Sequence, residues 1–171
     1  MKNLLFICGP NGIGKTTICR SILKRLANSA YVDSDSCRAM NPFVLNDDTI
    51  PAIQRNISCM VRNYFDCPAV QTVIFSYGLH GRRREIFNGI IEDIAGYEYN
   101  FIPLLLVSSE AENIRRMNFD GRDNGRIRRA LEVSRGAYAD VNYPTFDISM
   151  LSADEAAAGI MEIAGLNMQK K

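Results

Sequence analysis

At 171 residues, with 47% hydrophobic residues and a formal net charge of +1, the chain is large enough to bury a real core and exerts no bulk pull on nucleic acid or another polyanion. Cysteines at 8, 19, 37, 59 and 67 form no C-x-x-C pair and are joined by one histidine, His80, so neither a disulfide framework nor a zinc site is supported and a reduced cytoplasmic setting is expected. The first apolar run is cut by Gly9 and Pro10, too early for a signal peptide or a membrane span, so no membrane partner is expected.

The chain opens with an apolar strand over 4–8, followed at once by CGPNGIGKTT. Gly9-x-x-x-x-Gly14-Lys15-Thr16 is the pattern of a phosphate-cradling loop. Its glycines permit backbone angles that let successive amides converge on one anion, and the following helix aims its positive end at the same point. Lys15 supplies a full charge for β- and γ-phosphates, and the Thr16 hydroxyl is placed to ligate Mg²⁺.

Beyond the loop, apolar runs predict strands over 30–32, 72–75, 102–107 and 145–148, several apolar at consecutive positions as a sheet covered on both faces requires. Helical spacing predicts helices over 15–27, 49–65, 83–95, 110–117, 125–138 and 153–164. Strand and helix alternate throughout, with no repeat or linker. The expectation is therefore one three-layer α/β domain over 1–171, with a mainly parallel sheet and ligands beyond the carboxyl ends of its strands.

The second strand ends in Val32-Asp33-Ser34-Asp35-Ser36-Cys37-Arg38. Two carboxylates one residue apart, beside a Mg²⁺-nucleotide, divide the work of holding metal-bound water and accepting a proton; alternatively, one of them merely caps a helix after Ser36. Arg38 either reaches an anionic acceptor or lies solvated on a helix face. At the end of the third strand stands Ser76-Tyr77-Gly78, without the metal-holding Asp of many phosphate-loop ATPases. His80 and Arg82-Arg83-Arg84 follow, either lining an acceptor pocket or forming a solvated cluster at a helix start.

After the fourth strand, residues 113–138 carry seven arginines. Phe119-Asp120-Gly121-Arg122-Asp123-Asn124-Gly125 breaks this helical stretch with turn residues around an arginine, which points to a hinged lid over about 113–128 that closes over ATP and expels water.

The loop GPNGIGKT, the DSD after the second strand and the arginine-rich GRDN segment, taken together, resemble the nucleoside monophosphate kinase and shikimate/gluconate kinase group of P-loop kinases. That resemblance implies a five-stranded parallel sheet of order 2-3-1-4-5, ATP and Mg²⁺ as cofactors, and a small-molecule phosphoryl acceptor. It implies that Gly9, Asn11, Gly12, Ile13, Gly14, Lys15, Thr16 and Thr17, with lid residues Arg115 and Arg122, contact ATP. It also assigns Thr16 and Asp33 to the metal, partly through water, and Asp33, Asp35, Arg38, His80 and Arg129 to the acceptor, with Lys15, Asp35 and Arg122 as the catalytic set. The spacing of Arg115 and Arg122 is similar to the shikimate kinase lid, whereas GRDN and Arg129 look more like the nucleotide kinases. Two departures stand out: Ser76-Tyr77-Gly78-Leu79-His80 replaces a glycine-rich turn, and the long lid insert of large adenylate kinases is absent. The leading expectation is an ATP-dependent kinase. Its alternatives are a nucleotide switch or ATPase, a non-catalytic sensor, and a kinase acting on nucleic-acid ends.

Overall fold

The structure is a computed structural model and describes residues 1–166. Five strands form one parallel sheet: β1 (Lys2–Cys8), β2 (Ser29–Asp33), β3 (Thr72–Tyr77), β4 (Tyr99–Val107) and β5 (Thr145–Asp147). Their spatial order is β2-β3-β1-β4-β5, as the resemblance implies. The central strand β1 pairs with β3 and β4 at once, Phe6 lying opposite both Phe75 and Pro103. Every residue of β3 is buried, and β1 is fully buried from Leu4 onward, because helices cover both faces.

On one face, α2 (Thr49–Asp66) and α3 (Arg83–Asp93) bury Ile53, Ile57, Val61, Ile86 and Ile90 against Phe6, Val73 and Phe75. On the other, α1 (Lys15–Arg25) and α6 (Ala153–Ile163) bury Ile18, Ile22, Ala157 and Ile160 against Leu5, Ile7 and Ile74. Alternate residues of β1 thus feed opposite cores, as the period of a strand demands. Among the described residues, no helix is long and apolar enough to cross a membrane.

The expected break in the arginine-rich segment is present. Helix α4 (Glu110–Phe119) ends before Gly121, whose φ of 71° leaves the helical region, and α5 (Asn124–Ser134) restarts with the Asp123 side chain accepting from the Arg126 amide. Met117, Ile127 and Ala130 pack between the two helices. The helix predicted over 125–138 stops at Ser134, because Gly136 also takes a φ of 71° and turns the chain back toward β3. All the strands run one way, so the glycine-rich loop after β1, the Asp33–Arg38 segment, the Ser76–Gly78 turn and the turn between α4 and α5 meet at one end of the sheet.

Candidate active site

The loop after β1 leads straight into α1, with Gly14 at its N-cap in the left-handed region at φ 104°. Gly12 is tighter still: at φ 81°, a Cβ there would lie 2.3 Å from Cγ of the buried Met117, so loop and lid root touch at this point. Ile13 carries its side chain into the α1/α6 core at 0% exposure and leaves only its backbone to the loop. The Lys15 ammonium donates to the Gly9 and Pro10 carbonyls, each at 2.8 Å. Burial pushes its pKa down to about 8, with Arg83 adding to the fall and Cys8 and Asp35 opposing it.

One cleft gathers most of the expected residues. Asn11, Gly12, Gly14, Lys15, Thr16 and Thr17 form its floor, Asp33, Asp35 and Arg38 one wall, and Arg122 the lid side. Asp33 Oδ1 accepts from the Asp35 amide at 3.1 Å, while its Oδ2 lies 3.5 Å from Arg20. Asp35 stands before a short 3-10 turn, Ser36–Arg38, but its carboxylate does not cap it; it accepts from Arg38 Nε at 3.0 Å and from Arg38 Nη2. Burial alone would raise the Asp35 pKa; the Arg38 bond, with the charges of Arg38, Arg83 and Lys15, holds it below its usual value. The Arg38 guanidinium also lies over the Phe43 ring, 5.2 Å from its centroid.

Other expected residues lie outside this cleft. His80 faces the loop from the side, its Nε2 lying 3.4 Å from the side-chain Nδ2 of Asn11, and burial with the charges of Arg83, Lys15 and Arg38 pushes it down to about 4. It is therefore neutral, and it sits against the loop rather than among the residues that line the cleft. Arg129 borders a separate groove with Asn11, Arg122 and Arg126. Of the three consecutive arginines, Arg82 pairs with Asp47 and Glu85, Arg84 grips Asp140 and the Ala137 carbonyl, and Arg83 alone lines the cleft.

Two residues escaped the sequence reading because the chain sequence does not show which carbonyls a side chain meets. Arg116, beside the expected Arg115, donates to Ile13 O at 2.9 Å, Ile148 O at 2.7 Å and Leu151 O at 3.1 Å, tying lid, phosphate loop and the segment after β5 together. Arg115 is 69% exposed and held by Glu112. Tyr138 donates to Gly9 O at 2.5 Å and accepts from the Leu79 amide at 3.2 Å, bracing the start of the loop against the end of β3. A second cleft, across the loop from the first, is lined by Gly12, Thr17, Arg115, Phe119, Leu151 and Ala153. Phe119 is 89% exposed on its rim.

No protein-family model matches the sequence, and no curated protein is similar to it in sequence. Its structure is similar to solved ones along nearly its whole length. A tunicamycin resistance protein from Deinococcus radiodurans superposes with a TM-score of 0.65 at 18% identity, covering 99% of this chain and 100% of that one. A gluconokinase from Sinorhizobium meliloti gives 0.63 at 17%, covering 95% and 94%. A thymidylate kinase from Candida albicans gives 0.63 at 14%, covering 98% and 97%. With its strand order and these neighbours, the chain has the fold of the P-loop small-molecule kinases.

Proposed function

We propose that the described residues form a kinase domain, with its lid over about 113–128, that moves the γ-phosphate of ATP onto a hydroxyl or phosphate oxygen of a small molecule. The observation that carries this reading is one cleft in which a phosphate loop with its lysine faces a pair of aspartates and a lid arginine. A nucleotide switch needs the loop but not an acceptor wall.

Thr16 on the floor of this cleft and Asp33 on its wall offer hard oxygen ligands, a set that suits Mg²⁺ shared with phosphates. A bound ion would neutralise phosphate charge. Loop amides and Lys15 hold the β- and γ-phosphates, and the second cleft takes the nucleoside beside Phe119 and Leu151. Asp35 orients the acceptor and, where the acceptor is a hydroxyl, receives its proton as that oxygen bonds the γ-phosphorus. The bond from the γ-phosphorus to the β–γ bridging oxygen breaks, its electron pair leaving with ADP, while Arg122 offsets charge on the transferring group.

The test is ATP turnover with Mg²⁺ against nucleoside monophosphates, nucleosides, sugar acids and hydroxy acids. One acceptor should raise turnover far above the acceptor-free rate, and Lys15→Ala and Arg122→Ala should each lower transfer by about 100-fold or more, since both act on the transition state. Near-normal transfer in either variant sinks the assignment.

A further inference from the structure

Tyr31 on β2 and Ser76 on β3 point to the side of the sheet that α1 covers, and Thr16 and Cys19 lie three residues apart on that helix. Their polar atoms meet. The Tyr31 hydroxyl lies 2.8 Å from Ser76 Oγ and also reaches the Thr16 side chain, while Ser76 in turn reaches the sulfur of the fully buried Cys19. Three hydroxyls and a thiol thus form one chain from the floor of the cleft into the core. Its outer end, Thr16, lines the cleft together with Asp33 and Ser76.

A hydroxyl that ligates a cation turns a lone pair to it and must send its proton elsewhere. Asp33 is poorly placed to take that proton, because its Oδ1 already accepts from the Asp35 amide and its Oδ2 lies 3.5 Å from Arg20. The end of β3, Ser76-Tyr77-Gly78, offers no carboxylate either. Tyr31 Oη is the acceptor beside Thr16, and it is free to accept only if its own proton goes to Ser76. Ser76 can then donate to the Cys19 sulfur, which closes the chain inside the core.

We infer that Tyr31 is a positioning residue for the metal ligand: on the kinase reading, in which Thr16 holds Mg²⁺, Tyr31 takes the Thr16 proton, passes its own to Ser76, and so keeps the Thr16 lone pairs facing the cleft. The phenol itself never touches the ion. Its loss should therefore weaken the hold on the metal and leave the hold on nucleotide phosphates unchanged, as with other groups that orient a ligand from behind.

The experiment is calorimetric titration of the full chain with a non-hydrolysable ATP analogue, once in Mg²⁺ and once in EDTA, with melting curves of each variant. Tyr31→Phe should bind the analogue about tenfold more weakly in Mg²⁺ and within about twofold of the parent in EDTA. Ser76→Ala keeps the phenol but lets it turn its proton toward Thr16, so it should lose about threefold in Mg²⁺ alone; it carries the test if Tyr31→Phe melts more than about 8 °C below the parent. Thr16→Val, which deletes the ligand oxygen itself, should lose at least as much as Tyr31→Phe. The inference is overturned if Tyr31→Phe binds as the parent does in Mg²⁺, or if it loses equally in both solutions, the mark of a merely structural role. These titrations also separate it from the kinase reading. A loss in Thr16→Val without one in Tyr31→Phe keeps Thr16 on the metal and removes the positioning role, no loss in Thr16→Val removes both, and a parent that binds no nucleotide in either solution ends the kinase reading and the inference with it.

Discussion

Replacing Arg116 by alanine should disconnect the lid from the phosphate loop. The side chain is 17% exposed and donates to three backbone carbonyls, those of Ile13, Ile148 and Leu151, which belong to the loop and to the segment after β5. A hydrogen bond from a charged donor is worth about 1.5–3 kcal/mol net, but the three share one guanidinium and water enters a site open to solvent at its edge. A loss of about 3 kcal/mol is therefore expected. In a protein of this length, each kcal/mol shifts the midpoint by about 2–4 °C, giving a fall of about 6–12 °C in thermal unfolding. The Ile13 peptide loses its restraint at the same time, so the affinity for Mg²⁺-ATP should drop by about tenfold. Arg116→Lys should recover only part of both effects, because an ammonium lacks the planar fork that spans the carbonyls. The control is Arg115→Ala: that neighbour is 69% exposed and pairs only with Glu112, so its midpoint should move by no more than about 1 °C. A midpoint for Arg116→Ala within about 2 °C of the parent, or an equal fall in Arg115→Ala, would refute the reasoning.

Gly12→Ala should weaken nucleotide binding by at least about tenfold and lower stability by about 2–4 kcal/mol, because it puts a Cβ into the left-handed region and against the buried Met117; unchanged titration and melting curves would deny that the loop packs on the lid root. A second expectation concerns pH. The folded pKa of Lys15, about 8, lies below its ordinary 10.5, so between those values the unfolded chain binds more protons and the stability of the free protein rises with pH. Phosphate favours the ammonium, so ATP binding above about pH 8 should take up a proton and weaken as pH rises further. Calorimetry at pH 8.5 in two buffers of different ionisation enthalpy reads that uptake directly; equal heats in both would dismiss it.

The fold was legible because its signals are local and agree with one another. Consecutive apolar residues in β1 and β3 announce strands covered on both faces, and the glycines after β1 announce a tight turn into a helix. Asp33, Asp35 and Arg38 were legible for the same reason, since the end of a parallel strand fixes where the next few residues emerge. For His80 two factors were invisible in the sequence, the Asn11 side-chain amide beside its ring and the burial that strips its charge. The second cleft was missed because Phe119 and Leu151 are far apart in sequence, and meet only where α4 crosses the segment after β5.

The arginines show where such legibility stops. Arg115, Arg116, Arg122 and Arg129 look alike in sequence, each on a segment expected to close over phosphates. In the folded chain one is a surface ion pair, one a strut bonded to three carbonyls, one a wall of the cleft and one the border of another groove. The same holds for Arg82, Arg83 and Arg84, where adjacent positions on a turn and a helix start point the first and third at surface carboxylates and the second inward. A guanidinium has donors to spare and no fixed partner, so its role is set by which acceptors the tertiary structure leaves within reach. The useful question for each is therefore which anion neutralises it. Applied around the cleft, that question leaves Lys15 and Arg83, the two cations of its lining that pair with no carboxylate among the described residues.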